Sequence, residues 1–352
     1  MTPQRVIAVV AGGLLTLSAC AVGGASGDGD NGDSKTVTVY SADGLNSGSP
    51  SWYKTQFAAF TKSTGIKVDY IEAGSAEVVS RAQTEKANPQ ADVLVTLPPF
   101  IMTAASEGVL TKYTPEGAEA IDASLKDPDG KWYALVNNYP DFIYNTKSMS
   151  APPRTLNDLL EPKFKNKLQY STPGQAGDGT AVLINVAHML GSNDAALAYF
   201  TKLQSNNVGP SSSTGKLTAK VNHGDLLVAN GDMQMNLAQL AENPNIGLFF
   251  ISDKSGKKST FSLPYSMGLV TDGPHTENGK KLMDFLLTKE VQTTVSSIGG
   301  GFSVRDDVTA TDDNATKLKS LMEGVEIWAP DWNQINDELP QLIRKWQQAT
   351  RK

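Results

Sequence analysis

Four places in this sequence bring glycine and small hydroxyl-bearing residues together where a strand should hand over to a helix. They are Ser41 with Asp43, Gly74 with Ser75, the run from Thr172 to Thr180, and Ser211 to Gly215. Helix starts expose unpaired N–H groups and a partial positive charge, so they attract anions. Ser, Thr and Asp are also favoured helix caps whatever the function, so one such place means nothing; several in one chain favour an anion site. Two acids, Asp43 and Asp178, stand in those same turns. A carboxylate beside an anion repels it, which makes sense if a cation lies between them. The alternative is that both are caps facing solvent. Trp52, Tyr139, Phe142 and Tyr265 could wall an amine by cation–π contact, or simply fill core.

Other chemistries fit poorly. Gly209 to Lys216 is similar to a phosphate loop, but five residues separate Gly209 from Gly215, and Leu217 stands where a magnesium-binding hydroxyl is needed. No G-x-S-x-G elbow is present. His188, His223 and His275 are far apart, and no Cys/His spacing suggests zinc. The sequence therefore points away from an enzyme and toward a binding protein with no cofactor.

Near the N-terminus, Arg5 and the apolar stretch from Val6 to Leu17 are too short to span a bilayer. Leu17-Ser18-Ala19-Cys20 closes that stretch, and Cys20 is the only cysteine. This is the pattern of a lipoprotein signal over residues 1–19, with Cys20 as the lipidated residue. An ordinary secretory leader with a chance cysteine is the other possibility. Residues 20–35 are rich in Gly, Ala, Ser and Asp and read as a flexible tether. The chain should then sit on the extracytoplasmic face of the cell membrane, held through lipid only. A formal net charge of −6 argues against nucleic acid as a partner.

The elements that must position these residues alternate. Residues 36–40 read as a strand, 52–62 as a helix, 66–71 as a strand, 77–86 as a helix and 92–96 as a buried strand. That order implies a mostly parallel sheet covered by helices. Residues 132–144 are extended. Residues 168–171 read as a strand leading into the glycine-rich turn 174–180, with helices at 181–190 and 194–203. Residues 214–229 read as helical with an interruption near Gly224, and 233–237 as a strand. Helices follow at 279–287 and at 340–350, with Pro340 in the first turn of the latter.

Longer motifs give a resemblance. V-T-V-Y-S-A-D-G-L, T-G-I-K-V and A-D-V-L-V-T resemble the ferric-ion-binding branch of the extracytoplasmic substrate-binding proteins of ABC importers. V-T-L-P-P-F, N-N-Y-P-D-F-I-Y-N, Q-Y-S-T-P-G-Q-A-G-D-G-T-A, S-T-G-K-L-T-A and A-N-G-D-M-Q-M-N-L-A-Q are similar to the 2-aminoethylphosphonate binders within it. Ferric binders place a histidine, a glutamate and adjacent tyrosines on iron. The corresponding stretches here hold Ser41 to Gly44, Thr96-Leu97-Pro98 and Asn236 to Gln239, so no metal is expected.

The resemblance implies an α/β, two-lobe, type II periplasmic-binding-protein fold with two crossover strands as its hinge. The first lobe would be residues 36–136 plus 265–352, and the second 137–264. The chain, likened to a monomeric receptor, would close on a small phosphonate, most simply 2-aminoethylphosphonate, and deliver it to an ABC permease. Hydroxyls and amides at Thr172, Gly177, Gly179, Thr180 and Thr214 would take the phosphonate. Asp43 or Asp178 would take the ammonium. Ser41, Ser75, Thr96, Tyr139, Asn236 and Tyr265 complete the expected site. Phosphate, iron or a polyamine are rival ligands, and a secreted phosphonate or phosphoester hydrolase is the rival class.

Overall fold

The structure is a computed structural model that describes residues 35–351. The leader, the lipidation site Cys20 and the tether up to residue 34 lie outside the described residues.

The chain opens with β1 (Thr36–Ala42), α1 (Trp52–Thr64), β2 (Lys67–Ala73), α2 (Ser75–Thr84), β3 (Val93–Thr96), α3 (Phe100–Ser106), β4 (Leu110–Thr111) and β5 (Tyr133–Val136). Then come β6 (Pro140–Asn145), β7 (Leu168–Gln169), α4 (Gly177–Leu190), α5 (Asn193–Leu203), α6 (Gly215–His223), β8 (Val228–Asp232), α7 (Met233–Ala238) and β9 (Ile246–Phe249). The last part is β10 (Lys258–Thr260), β11 (Tyr265–Val270), α8 (Thr276–Leu286), α9 (Lys289–Thr294), α10 (Asp313–Leu321), β12 (Val325–Ile327) and α11 (Trp332–Thr350).

Two larger sheets organise these elements, and β10 and β12 form a separate parallel pair. The first runs β2-β1-β3-β11-β4, with β5 also paired to β11; the second runs β7-β8-β6-β9. β1 is parallel to β2 and β3, but β11 is antiparallel to β3, β4 and β5. The first sheet is therefore mixed, because β11 enters it from the far end of the chain rather than through a βαβ unit. Side-chain alternation explains why it is covered on both faces. Val37, Val39, Val93, Val95 and Met267 join one core, while Tyr40, Leu94 and Val270 join another on the opposite face. The second sheet repeats this, with Phe142 and Val228 in one core and Ile143 and Ala229 in the other. Burying each such side chain contributes roughly 1.5–3 kcal/mol.

The chain passes between the sheets at residues 137–139 and 261–264, and the two passages are bonded side by side. Leu263 N–H donates to the Asn138 carbonyl at 2.9 Å, and the Ser262 hydroxyl to Asn137 Oδ1 at 2.6 Å. This is the pair of crossover strands of the two-lobe fold. α11 makes a third link. Trp332 and Ile335 pack on the core of the first sheet, whereas Leu342 and Trp346 are buried in that of the second.

Three local readings of the sequence are corrected. Residues 233–237 form a helix, α7, not a strand, because Asp232 caps it by accepting the Met235 N–H. The helix expected over 214–229 ends at Gly224, which takes the left-handed conformation at φ 84°, and Val228–Asp232 becomes the central strand β8. Pro340 lies inside α11, not in its first turn.

Candidate functional site

The two sheets point their strand ends at each other, and the helix starts beyond them meet. On the first-lobe side stand the loop after β1 and the start of α2. On the second-lobe side stand residues 171–180 and 211–215 and the end of β8. Asp43 Oδ2 accepts the Ser213 hydroxyl at 2.6 Å and the Gly215 N–H at 3.2 Å. Ser75 Oγ accepts the Gly177 N–H at 3.1 Å, and the Ala76 N–H donates to the Gln175 carbonyl at 3.1 Å. Gly74 lies so close to the Ser212 carbonyl that a Cβ would force the backbones apart. The Tyr265 hydroxyl lies 2.8 Å from Asp232 Oδ2 and 3.1 Å from the Asp43 carbonyl. The lobes are thus closed on each other through direct hydrogen bonds.

Behind this seam lies a group of four acids: Asp43, Asp141, Asp178 and Asp232. Asp43, Asp178 and Asp232 each raise the proton affinity of at least one other member, and Asp141 is raised by Asp232 and Asp178. Burial pushes Asp178 well above the ordinary carboxylate range, and the charges of Asp232 and Asp43 add to that. Burial does the same to Asp141, helped by Asp232. Asp232 is raised by burial to about 6, with the Met235 N–H and the Tyr265 hydroxyl holding it down. Asp43 is raised by burial but eased by Ser213, Gly215 and the charge of Lys216. Burial beside these acids keeps Tyr265 protonated, as a donor. None of the four makes an ion pair among the described residues. Asp178 Oδ1 and Asp141 Oδ2 are buried without any hydrogen-bond partner. A buried acceptor left unmatched is costly. The interior is short of donors and of positive charge. Among the described residues no group of His, Cys, Asp and Glu is arranged to hold a metal ion.

The sequence-predicted residues fall into three sets. Asp43, Ser75, Thr172, Gly177, Asp178, Gly179, Thr180, Thr214 and Tyr265 come together at the seam. Thr214 donates to Ser171 Oγ at 2.9 Å, and Ser171 N–H donates to Asn230 Oδ1 at 2.7 Å. Thr172 Oγ1 accepts the Ser211 N–H at 3.0 Å. Thr180 accepts the Gly174 N–H at 2.9 Å and donates to the Ala176 carbonyl at 3.0 Å, which fixes the turn into α4. A Cβ at Gly177 would strike Leu97, and one at Gly179 the Ser171 carbonyl. Gly177 to Thr180 form the first turn of α4, not the loop before it, and Asp178 places its own carboxylate there.

Ser41, Thr96 and Asn236 form a second set, buried behind the seam with their side chains engaged. Ser41 bonds the Ala42 carbonyl at 2.9 Å and the Tyr53 hydroxyl at 3.0 Å. Thr96 donates to the Ser75 carbonyl at 3.4 Å. Asn236 donates to Asp141 Oδ1 at 2.8 Å and accepts the Thr218 hydroxyl at 3.2 Å. Tyr139 stands apart, packed edge-on against Phe302 in a satellite cluster with Met233 and Leu318. Trp52 and Phe142 are core residues.

Sequence reasoning missed Asp141 and Asp232. Asp232 directly precedes α7, and reading 233–237 as a strand hid its capping role. Asp141 carried a signal, a charged residue inside the apolar strand β6.

The comparisons agree with this architecture. A family profile described as bacterial extracellular solute-binding protein matches residues 88–338. A protein of Salmonella paratyphi A, named "Putative 2-aminoethylphosphonate-binding periplasmic protein", is 52% identical over 314 residues, covering 89% of this chain and 92% of its own. Among solved structures, the periplasmic binding protein AfuA from Actinobacillus pleuropneumoniae, with fructose-6-phosphate bound, superposes with a TM-score of 0.78 at 22% identity. That match covers 90% of this chain and 99% of AfuA. The ferric binding protein from Campylobacter jejuni gives a TM-score of 0.72 at 20% identity, covering 89% and 99%. These two show the shared type II fold.

Proposed function

This chain belongs to the bacterial extracellular solute-binding proteins, and from that premise we propose that it is the receptor of an ABC importer for 2-aminoethylphosphonate. It would be anchored through lipid on Cys20 and would hand its ligand to a membrane permease. The observation that carries the reading is the uncompensated acid cluster. Two buried carboxylate oxygens, on Asp178 and Asp141, face no donor, and a ligand ammonium brings three donors and the missing charge. The 52% identical relative named for this ligand supports the same choice.

In this reading Asp178 holds the ammonium. Thr214 lies against its carboxylate, and Ser75 bonds the N–H of the preceding Gly177, so a ligand whose charged ends are two carbons apart would turn its phosphonate toward the hydroxyls of Ser75, Ser171 and Thr214. Neutral donors suffice for a buried anion when several converge. The ammonium lies between the phosphonate and the carboxylate and screens one from the other. Closure of the lobes then removes both ends from water, which strengthens each contact.

Calorimetry tests this with 2-aminoethylphosphonate, methylphosphonate, phosphate and putrescine, each with and without chelator. The amino-phosphonate should bind tightest and be indifferent to chelator. Equal binding of methylphosphonate, or a signal lost with chelator, would overturn the assignment.

A further inference from the structure

Two helices of the second lobe begin without a cap of their own. α4 follows Ala176, which has no capping side chain. α6 follows Thr214, whose hydroxyl donates to Ser171 instead of accepting from the helix. A helix start without a cap leaves N–H groups unpaired. Both starts receive their partner from the first lobe. Asp43 lies 172 residues before Gly215 in sequence, yet its carboxylate takes that N–H at 3.2 Å and the adjacent Ser213 hydroxyl at 2.6 Å. Ser75 takes the Gly177 N–H at 3.1 Å.

We propose that Asp43 and Ser75 are closure latches: side chains of one lobe that cap the helices of the other, so that α4 and α6 are complete only when the lobes meet. This rests on the receptor reading above and adds a division of labour to it. Asp178 selects the ligand, and Asp43 holds the door.

The mounting of Asp43 fits that role. It directly follows β1, and its own N–H is fixed to the Ala73 carbonyl at 3.1 Å. Its carbonyl meets the Tyr265 hydroxyl at 3.1 Å. The next residue, Gly44, has φ 135°, and a Cβ there would overlap that same hydroxyl. The carboxylate is held out from a rigid strand end. It faces a helix N-terminus, whose partial charge favours an anion, with Lys216 adding to the pull. Both carboxylate contacts in the second lobe are donors, so Asp43 has its partners without a ligand cation. Asp178, with an unmatched oxygen, does not.

The test uses the full chain and three variants, Asp43→Ala, Asp43→Asn and Ser75→Ala. Hydrogen exchange is followed at Gly215 and Gly177 with and without 2-aminoethylphosphonate, and ligand dissociation by stopped flow. Asp43→Ala should speed exchange at Gly215 and raise the dissociation rate about ten-fold, the usual scale of a lost cap. The preference for 2-aminoethylphosphonate over methylphosphonate should stay at the parent value. Asp43→Asn, which keeps an acceptor, should recover most of the protection, which also guards against a folding defect in the alanine variant. Ser75→Ala should act in the same way at Gly177, more weakly. A fall in the amino-ligand preference in either Asp43 variant would make Asp43 an ammonium ligand and overturn the latch. Unchanged exchange at Gly215 together with an unchanged dissociation rate would overturn it too. If the parent gives no heat with any phosphonate, the receptor reading fails on that measurement, while ligand-free exchange at Gly215 still decides the latch.

Discussion

Two carboxylates in this protein meet opposite fates. Asp307, on the surface near the first-lobe core, is gripped by Arg305 at 2.9 Å and 3.0 Å and by Lys289 at 2.8 Å. Those hydrogen bonds hold its proton affinity below the ordinary carboxylate range. Asp178, in the seam between the lobes, is buried among other acids and is pushed the other way. The chain evidently can supply cations to a carboxylate where solvent would already screen it. To Asp178 it supplies none among the described ion pairs, although a buried unpaired charge is far more expensive than a surface one. The difference teaches that the seam keeps a buried acid without a cation of the chain's own, the charge that a ligand ammonium would supply under the proposed function.

The sharpest way to break that comparison is Asp178→Asn. If Asp178 holds the ammonium, the variant should lose on the order of 2–5 kcal/mol of affinity for 2-aminoethylphosphonate, as for a buried charged partner. It should bind methylphosphonate no worse. The ligand-free variant should melt no lower than the parent, since a buried acid without a cation has been removed. Calorimetry and a melting curve read both. Loss of stability together with unchanged affinity would mean that Asp178 is structural.

Tyr265→Phe comes next. The hydroxyl gives a bond to Asp232, and losing a bond to a charged group costs roughly 1.5–3 kcal/mol. The ring itself is fully buried and is retained by Phe. Urea unfolding of the ligand-free protein should show the loss, accompanied by a higher proton affinity at Asp232. An unchanged midpoint would show that the hydroxyl can be spared.

Acid should separate stability from binding. A carboxyl whose folded pKa lies above its unfolded value binds protons in the folded state first. Stability therefore rises as pH falls from the folded pKa toward the unfolded one. For Asp232, raised to about 6, that window runs from about 6 down to about 4, and the gain is on the order of 1–3 kcal/mol. Asp178 and Asp141 shift in the same direction. Protonation of Asp178 removes its hold on an ammonium, so affinity for 2-aminoethylphosphonate should fall over the range in which the ligand-free protein gains stability. Parallel pH series of melting and calorimetry check this. Affinity and stability falling together would argue against an acid cluster that awaits a cation.

Much of this was legible in sequence, for local reasons. The β-branched runs at 36–40 and 92–96 can only be buried strands, so the hydroxyl and acid positions beyond them were visible. Asp43, Asp178 and Tyr265 stand out in the sequence alone. What stayed hidden depended on distant partners. Residues 228 and 229 read as the end of the helix over 214–229, and Asn230, Gly231 and Asp232 show no regular pattern. They become a strand because β6 and β7 pair on either side of them. Met233 to Leu237 alternates like a strand, yet the Asp232 cap turns it into a helix. Tyr139 packs its ring edge-on against Phe302, a partner far along the chain that no local pattern shows. Asp43 is legible as a residue beyond a strand end, but the chain could not reveal that its carboxylate accepts the first N–H of α6.

The smallest expected effect is the control that gives the others meaning. Asp307→Asn removes a charge of the same sign as Asp178→Asn, from a site that already has its cations. Its bidentate hold on Arg305 and its contact with Lys289 would weaken, yet Asp307 and Lys289 are exposed to solvent, and the buried Arg305 keeps its bond to the Leu287 carbonyl at 2.9 Å. A lowered carboxylate stabilises at neutral pH and loses that contribution as pH falls toward its folded value. The variant should therefore be slightly less stable than the parent at pH 7 and converge with it in strong acid, the reverse of the pattern expected for Asp178→Asn. Affinity for 2-aminoethylphosphonate should not change. If Asp307→Asn weakened binding as much as Asp178→Asn does, net charge rather than the buried cluster would control the ligand, and the contrast between the two aspartates would lose its meaning.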